Sequence, residues 1–352
     1  MEKYVAYVGS YSYTGVAKGI TIFDVDVARG AMVPRTEIEV NNSSYVLVSN
    51  DGKTLYSIAD EGVVAFRILA NGSITRINSA NIRGMRGCHL SIDKEGKYIF
   101  VSGYHDGKVT VLKLNKDGSV GNIVDDVYHK GLGSVVERSS RPQVTCTKRT
   151  PDGHFVMAAD DGIDQVKIYA FDENYEKLEL VDAIRCEFES APRYFAFSSD
   201  ERYMYLMYEM KNIIDVFSYS YEDGQRVPQI EKIQTVSTVG FEKESNLTAA
   251  TCMTFSSDEK HLFCANAGNN NVTMFARDGK SGLLECKFTF PISGEYPKDI
   301  AIFPDGKHIA SVNHESGTLT FFKVDYEKNL LIMSTNAVKV NQPNCCVFAK
   351  VG

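Results

Sequence analysis

One pattern recurs six times along the chain and constrains the fold more than any other feature. Each copy has a polar turn, a strand rich in β-branched and aromatic residues, a second turn and an alternating strand, as in "DKEGKYIFVSGYHDGKVTVLKL" from residue 93. The turn aspartates at 51, 93, 152, 200, 258 and 305 are 42 to 59 residues apart, which is the period of propeller blades. Helical periodicity is absent, so the repeat predicts an all-β protein.

Each copy is expected to form a four-stranded antiparallel meander, with strands a to d running from the inside outward. A weaker fourth strand follows most copies, as in "RCEFE" (185–189) and "CKFTF" (286–290). Residues 3–25 supply strands b and c of a further copy, and residues 343–350 supply its inner strand. Pairing of the chain ends would leave no open sheet edge. The sequence therefore predicts a single seven-bladed β-propeller domain over residues 1–352.

Composition narrows the classes of partner. The net charge is −7 and the pI is near 5.6, which argues against nucleic acid or an anionic membrane as the main partner. The N-terminus has no signal-peptide arrangement and no apolar stretch is long enough for a membrane helix, so we expect a cytoplasmic protein. The eight cysteines lack metal-ligand spacing and are expected to be reduced, and no metal or cofactor is assigned. The oligomeric state is not predicted.

The meander predicts where a site would lie. Strand a starts and strand b ends at the same face, so side chains at these points converge. Counting ten residues back from the first residue after each a–b turn selects the heads of the inner strands: Tyr45, Cys88, Thr145, Arg193, Thr251 and Lys298, with Asn344 in the closing strand. The ends of the b strands supply Tyr104, His105, Asp160, Asp161, Tyr208, Glu209, Asn266, Asn313 and His314. The long connections at 121–143 and 222–248 are expected on this face.

Arg193 and Glu209 are the strongest catalytic candidates, because one heads strand a and the other ends strand b of the same blade. A carboxylate beside a guanidinium can activate water and stabilise a developing negative charge. A structural ion pair across two strands is the alternative. His89 has the same two interpretations, as a ligand contact or as a packed core residue.

Four segments resemble the seven-bladed propeller lactonases, the family of bacterial 6-phosphogluconolactonase and fungal carboxymuconate lactonizing enzyme. They are "YVGSYS…KGITIFDVD", "GCHLSIDKEGKYIFVSGYHDGKVTVLKL", "APRYFAFSSDERYMYLMYEM" and "PKDIAIFPDGKHIASVNHESGTLTFFKVD". The resemblance runs along the whole chain. It implies the propeller fold and hydrolysis of a lactone without a cofactor.

The resemblance also implies roles for individual residues. Pro192-Arg193 and Tyr208-Glu209 stand where family members have active-site Pro-Arg and Asn-Glu. Gln143 and Thr145 stand where histidines are expected, Asn266-Ala267-Gly268 replaces Asn-Arg-Gly, and Lys298 stands where many members have arginine. Two expected groups, an imidazole and a second guanidinium, are therefore replaced.

Two functions follow from these residues. The first is hydrolysis of a sugar-derived, anionic lactone, with Glu209 and Arg193 as catalytic residues. The expected substrate-binding residues are Lys298, His89, His105, Tyr208, Gln143, Asn266 and His314. The alternative is a propeller that has lost catalysis and binds a sugar acid or a protein through the same face.

Overall fold

The computed structural model describes residues 2–133, 141–240 and 247–352, and every regular element in these ranges is a β-strand. The all-β prediction is therefore confirmed. The first fourteen strands are β1 (Lys3–Ser10), β2 (Gly19–Asp26), β3 (Ala31–Glu39), β4 (Val46–Val48), β5 (Thr54–Ala59), β6 (Gly62–Ile68), β7 (Ile74–Asn81), β8 (His89–Ile92), β9 (Tyr98–Gly103), β10 (Lys108–Leu114), β11 (Val120–Tyr128), β12 (Val144–Arg149), β13 (Phe155–Asp160) and β14 (Gln165–Asp172). The remaining strands are β15 (Lys177–Arg185), β16 (Pro192–Phe197), β17 (Tyr203–Tyr208), β18 (Ile213–Ser220), β19 (Gln229–Ser237), β20 (Ala249–Phe255), β21 (His261–Ala267), β22 (Asn271–Arg277), β23 (Leu284–Pro291), β24 (Pro297–Ile302), β25 (His308–Asn313), β26 (Thr318–Asp325), β27 (Leu330–Lys339) and β28 (Pro343–Val351).

The strands form seven four-stranded sheets, as the repeat predicts. Six sheets follow the chain directly, with orders β4-β5-β6-β7, β8-β9-β10-β11, β12-β13-β14-β15, β16-β17-β18-β19, β20-β21-β22-β23 and β24-β25-β26-β27. The seventh has the order β28-β1-β2-β3. Its β1 and β28 are antiparallel, from Lys3 opposite Val351 to Ser10 opposite Pro343. The predicted pairing of the chain ends is confirmed.

Burial falls from the second strand of a sheet to the fourth. All six residues of β13, β17 and β25 are buried, whereas most residues of β3 and β19 are exposed or half-buried. A strand with apolar side chains on both faces must be covered on both faces. The continuous apolar runs in the repeat therefore become the second strands.

Backbone contacts divide the chain into two compact units. The terminal unit comprises residues 1–48, 68–75 and 236–352, and the middle unit comprises residues 49–67 and 76–235. In the terminal unit, Phe303 and Phe321 pack with side chains from β1, β2 and β28. In the middle unit, Phe195 and Met204 pack with side chains from β13 and β14. In both units the core lies between the faces of successive sheets.

The a–b turns explain the repeated Ser/Thr-x-Asp and Asp-Gly pairs. The hydroxyl of Ser198 donates to Asp200 at 2.5 Å, and that of Thr150 donates to Asp152 at 2.6 Å. The residue that follows Asp152 or Asp200 has a left-handed backbone: φ is 77° at Gly153 and 62° at Glu201. Glycine adopts this conformation without strain, whereas glutamate does not.

Two details of the predicted elements are wrong. The fourth strand of the third blade is β15 and ends at Arg185, so "RCEFE" contributes only its first residue. Residues 121–128 and 229–237 belong to strands β11 and β19, so the long connections are shorter than expected. What remains of these connections includes residues 134–140 and 241–246, which lie outside the described residues. The strand predicted at 286–290 is confirmed as part of β23.

All eight cysteines lie in the described ranges and carry reduced thiols, as expected. Burial raises the pKa of the Cys88, Cys186 and Cys345 thiols to about 12, so they are neutral at pH 7. Within the described ranges, the structure contains no helix with the length and hydrophobicity that a membrane crossing requires.

Candidate active site

The inner strands share a bulge at the positions selected by the ten-residue count. In the middle unit, the β12–β13 register shifts between Val144 and Cys146, across Thr145. The β16–β17 register shifts in the same way between Pro192 and Tyr194, across Arg193. A bulge turns the side chain of the extra residue away from the ordinary alternation of the strand. The bulge therefore sets the direction of the Arg193 side chain, and the sequence pattern does not reveal this bulge.

Glu209 directly follows β17 and lies against Arg193. Its backbone N–H donates to the Ala191 carbonyl at 2.8 Å, which fixes the start of the turn. Its Oε2 forms an ion pair with Arg193 Nη1. The arginine side chain is 30% exposed and the glutamate side chain is 15% exposed, so a ligand can reach the pair. Arg193 and Glu209 therefore lie in contact, as the sequence predicts.

Asp161 is a third ionisable group at this place. It follows β13 as Glu209 follows β17, and its N–H donates to the Gln143 carbonyl at 3.0 Å. Burial raises the pKa of Asp161 well above its usual range, and the nearby Glu209 carboxylate raises this pKa further, whereas Arg193 lowers it. Asp161 is among the residues predicted at the ends of the b strands, but it is not among the predicted catalytic or binding residues. Its position one residue after strand b, like Glu209, was the available signal.

Asp160 holds the segment on which Asp161 lies. Its Oδ1 accepts the N–H groups of Gln143 (2.7 Å) and Gly162 (3.1 Å), and its Oδ2 lies 2.6 Å from His129 Nδ1. The side chains of His129 and Asp160 are fully buried. These contacts fix the backbone on both sides of Asp161. No sequence motif around His129 indicates its pairing with Asp160.

Asp164 fixes the segment that leads into Arg193. Its Oδ2 accepts the N–H of Glu189 at 2.8 Å, and its Oδ1 accepts the N–H of Ala191 at 2.9 Å. Glu189 and Ala191 have left-handed backbones, with φ of 59° and 55°. Such conformations persist only where the surroundings hold them. The carboxylate also explains why "RCEFE" does not continue as a strand.

Four other predicted site residues of the middle unit have different surroundings. The structure buries Gln143, and its backbone links Asp160 to Asp161. Half-buried His105 stacks edge-on against Tyr104, and burial, then Arg86 and Arg141, lower its pKa. His89 and Tyr208 are each only 3% exposed. His89 lies against Tyr194 and Cys146, and Tyr208 donates its hydroxyl to Asp215 at 3.0 Å.

The terminal unit repeats the bulge at Thr251, Lys298 and Asn344, where the registers of β20, β24 and β28 shift. Lys298 Nζ lies 5.1 Å from the Tyr11 ring centre and 5.7 Å from that of Tyr296. His314 directly follows β25, and its ring contacts both tyrosines. Lys298 and His314 are therefore brought together in the terminal unit.

Asn266 has a different place in the terminal unit. It is fully buried, and its Nδ2 donates to the Thr238 carbonyl at 2.9 Å and to Asn271 Oδ1 at 2.8 Å. These bonds support the chain around β21. Its predicted role in binding substrate has no exposed surface to support it.

No cluster of three or more His, Cys, Asp or Glu side chains in the described part of the chain is arranged to hold a metal ion.

Known proteins with similar sequences identify the family. The family described as "Lactonase, 7-bladed beta-propeller" matches residues 5–348. The chain belongs to this family of lactonases. This membership confirms the predicted fold class and the prediction that the protein is an enzyme. The lactonase is 30% identical to the 6-phosphogluconolactonase of Bacillus subtilis, over 99% of both chains.

Two further relatives cover nearly the whole lactonase. The 6-phosphogluconolactonase of Formosa agariphila is 26% identical, over 95% of this chain and 96% of its own. The solved structure of the periplasmic gluconolactonase of Pseudomonas aeruginosa superimposes with a TM-score of 0.89 at 25% identity, over 99% of this chain and all of its own.

Proposed function

We propose that this lactonase hydrolyses the lactone of a sugar acid, with Glu209 as general base, Arg193 as the oxyanion-stabilising group and Asp161 as general acid. The observation that carries the proposal is the group of two carboxyls around one accessible guanidinium. The similarity to the Bacillus subtilis 6-phosphogluconolactonase over the full length of both chains supports the sugar-acid substrate.

The reaction needs one proton acceptor and one proton donor. Glu209 takes a proton from water as the water oxygen bonds to the lactone carbonyl carbon. The carbonyl oxygen becomes negatively charged and accepts a hydrogen bond from the Arg193 guanidinium. The bond between the carbonyl carbon and the ring oxygen then breaks, and Asp161 gives its proton to the departing oxygen. The product is a hydroxy acid.

The two carboxyls differ in the way that these roles require. Asp161 is 7% exposed and has a raised pKa, so burial favours the protonated form that a general acid needs. Glu209 forms an ion pair with the Arg193 guanidinium. After each turnover, the proton on Glu209 passes to solvent and Asp161 regains one. The ionised product accounts for one proton released per lactone at neutral pH.

Thr145 and Ala267 stand where the resemblance leads one to expect a histidine and an arginine, and their surroundings support a mechanism that uses carboxyl groups instead. The Thr145 hydroxyl lies 3.3 Å from the carbonyl oxygens of Ala159 and Pro192, to which it can donate. Ala267 is 1% exposed and opposes Ala249 across the sheet. Neither residue can supply the imidazole or guanidinium that the resemblance leads one to expect. The proposal therefore assigns the base role to Glu209 and the acid role to Asp161.

The test measures proton release from δ- and γ-lactones of sugar acids with a pH indicator. Glu209→Gln and Asp161→Asn should each lower kcat by roughly 10²- to 10⁴-fold, as expected for loss of a general base or acid. Glu187→Gln, on a 68% exposed side chain, is the control and should keep full activity. Full activity of Glu209→Gln would contradict the assignment. Ligand-induced thermal stabilisation without turnover in the wild type would favour the binding protein.

Arg193 is tested separately. A charge-assisted hydrogen bond contributes roughly 1.5–3 kcal/mol, so Arg193→Ala should lower kcat/KM by roughly 10- to 150-fold. Arg193→Lys should recover only part, because an ammonium lacks the planar fork. If Arg193→Ala lowers the melting temperature but leaves kcat/KM unchanged, the arginine is a strand-pairing residue.

A further inference from the structure

The middle unit contains a cavity of about 210 Å³ that the hydrolytic scheme does not use. Residues of β15, β17, β18 and β19 line it, and none of the three groups assigned to hydrolysis is among them. Its apolar walls are Ile184, Ile213 and Phe217, which belong to one hydrophobic cluster. A concave apolar space with a few convergent polar groups is the usual form of a small-molecule site.

The Asp215 carboxylate lies in this cavity, and its side chain is only 7% exposed. Its Oδ2 accepts the Tyr208 hydroxyl at 3.0 Å, and its Oδ1 accepts the Thr235 hydroxyl at 2.5 Å. Lys232 Nζ lies 3.6 Å from Oδ2, which is beyond ordinary hydrogen-bond distance. An ionised carboxylate can accept about four hydrogen bonds. Asp215 can therefore accept a further one from a ligand in the cavity.

The fold does not require a carboxylate at this position. Asp215 is the third residue of β18, which is the third strand of its blade. The third residues of the other third strands are buried as well, and they are Thr21, Val64, Thr110, Lys167, Thr273 and Thr320. Asp215 is the only acidic residue in this set. The carboxylate is therefore specific to the blade that contains the cavity.

The charges of the lining favour a neutral ligand. Arg185 and Lys232 are positive, whereas Glu187 and Asp215 are negative. The side chains of Glu187 and Lys232 are 68% and 48% exposed, so they lie at the mouth of the cavity. An ion must give up its hydration to enter such a space, and a lining of balanced charge offers no net attraction in return.

Volume and polarity restrict the neutral ligand to one ring with one hydroxyl. An apolar cavity of roughly 150 Å³ holds one benzene molecule, so about 210 Å³ holds one substituted ring. A sugar has several hydroxyls, and those facing Ile184, Ile213 and Phe217 would lack partners at a cost in free energy. Asp215 already accepts the phenol hydroxyl of Tyr208. A ligand phenol matches both the carboxylate and the apolar walls.

We infer that this cavity binds a neutral single-ring phenol, whose hydroxyl donates to Asp215 and whose ring packs against Ile184, Ile213 and Phe217. The inference does not depend on the proposed hydrolysis of a lactone.

Calorimetric titration with phenol and anisole tests the hydrogen bond, because a methyl group replaces the hydroxyl proton in anisole. A bond to a charged acceptor predicts that the wild type binds phenol roughly 10- to 150-fold more tightly than anisole. Asp215→Asn makes the acceptor neutral and should weaken phenol binding by roughly 5- to 12-fold, with anisole binding unchanged. Asp182→Asn, on an exposed residue of β15, is the control and should bind both compounds as the wild type does.

Cys186→Phe tests the location. Cys186 is half-buried and lines the cavity, so a larger ring at this position should occupy the space and abolish phenol binding. Ile184→Phe serves if that variant is unstable. Phenol binding that survives the filling of the cavity would place the ligand elsewhere and reject the inference.

Three results with the wild type would also overturn the inference: no saturable binding of phenol, equal affinity for phenol and anisole, or tighter binding of benzylammonium than of phenol. The last result would show that the cavity takes a cation. If Asp215→Asn does not fold, Asp215→Thr introduces the residue that four other blades carry. Unchanged phenol affinity in the folded variant would exclude Asp215 as the acceptor.

Discussion

Asp164 offers the sharpest test of how the candidate active site is positioned. Its carboxylate accepts two backbone N–H bonds, at 2.8 and 2.9 Å, from Glu189 and Ala191. Hydrogen bonds to a charged group contribute about 1.5–3 kcal/mol each, so Asp164→Ala loses about 3–6 kcal/mol before relaxation. Once Asp164 is removed, Glu189 and Ala191 can leave the left-handed conformation, and the relief of this backbone strain offsets about 1 kcal/mol for each residue. The net loss of unfolding free energy should be about 1–4 kcal/mol.

Calorimetry and steady-state kinetics measure the two consequences. With roughly 2.1 cal/mol/K of unfolding entropy per residue over 352 residues, this loss corresponds to a fall of about 1–5 °C in Tm if the chain unfolds cooperatively. Because the released segment leads directly into Arg193, kcat should also fall, by roughly 10- to 100-fold. Asp164→Asn retains one acceptor oxygen and should show a smaller fall in both quantities.

Asp172→Ala is the matched control. Asp172 is the exposed last residue of β14 in the same unit, and it also accepts two backbone N–H bonds, from Asn174 and Tyr175. The control should change Tm by less than Asp164→Ala and leave kcat unchanged. If Asp164→Ala keeps wild-type Tm and kcat, or loses Tm while kcat is untouched, Asp164 does not position Arg193.

Three further predictions concern stability. Removing residues 343–352 deletes β28, the partner of β1, and should lower Tm sharply or prevent soluble expression; a truncated chain as stable as the full one would contradict the prediction of a single propeller domain. Burial raises the pKa of Asp299 from 3.8 to about 6 in the folded protein. Because the unfolded chain loses this proton at a lower pH than the folded protein does, the free energy of unfolding should fall as pH rises from 4 to above 6, by at most about 3 kcal/mol. Chemical denaturation of Asp299→Asn at several pH values should show stability rising relative to the wild type over that interval, and a pH-independent difference would refute the reasoning. Glu201→Gly should raise the free energy of unfolding by about 1 kcal/mol, because glycine adopts the φ of 62° without strain. If urea denaturation shows a loss of stability instead, the ion pair between Glu201 and Lys94 contributes more than the relief of backbone strain.

The sequence predicts the strands well because each blade repeats the same local pattern. The ten-residue count even selects Thr145, Arg193, Thr251, Lys298 and Asn344, the residues across which the register shifts. Period-two alternation cannot reveal a bulge, however, since a bulge is a property of two paired strands. The direction of these side chains was therefore unavailable from the sequence.

Contacts distant in sequence account for the remaining errors. "RCEFE" has the composition of a strand, but Asp164 binds the backbone that follows and turns it. Tyr208 was selected beside Glu209, yet alternation turns it toward buried Asp215. His129 carries no local motif, and only the fold brings it to Asp160. Each of these outcomes depends on a partner that the local pattern does not specify.

The pairing of β1 with β28 also has a consequence for synthesis. The ribosome makes β1 first, and Val5, Ala6, Tyr7 and Val8 are fully buried once the chain has folded. Strand β28 follows roughly 15 to 70 s later at about 5–20 residues per second. During that interval β1 has one hydrogen-bonding edge with no strand to cover it, and such edges promote aggregation. The nascent lactonase therefore keeps this edge of β1 unpaired until β28 emerges.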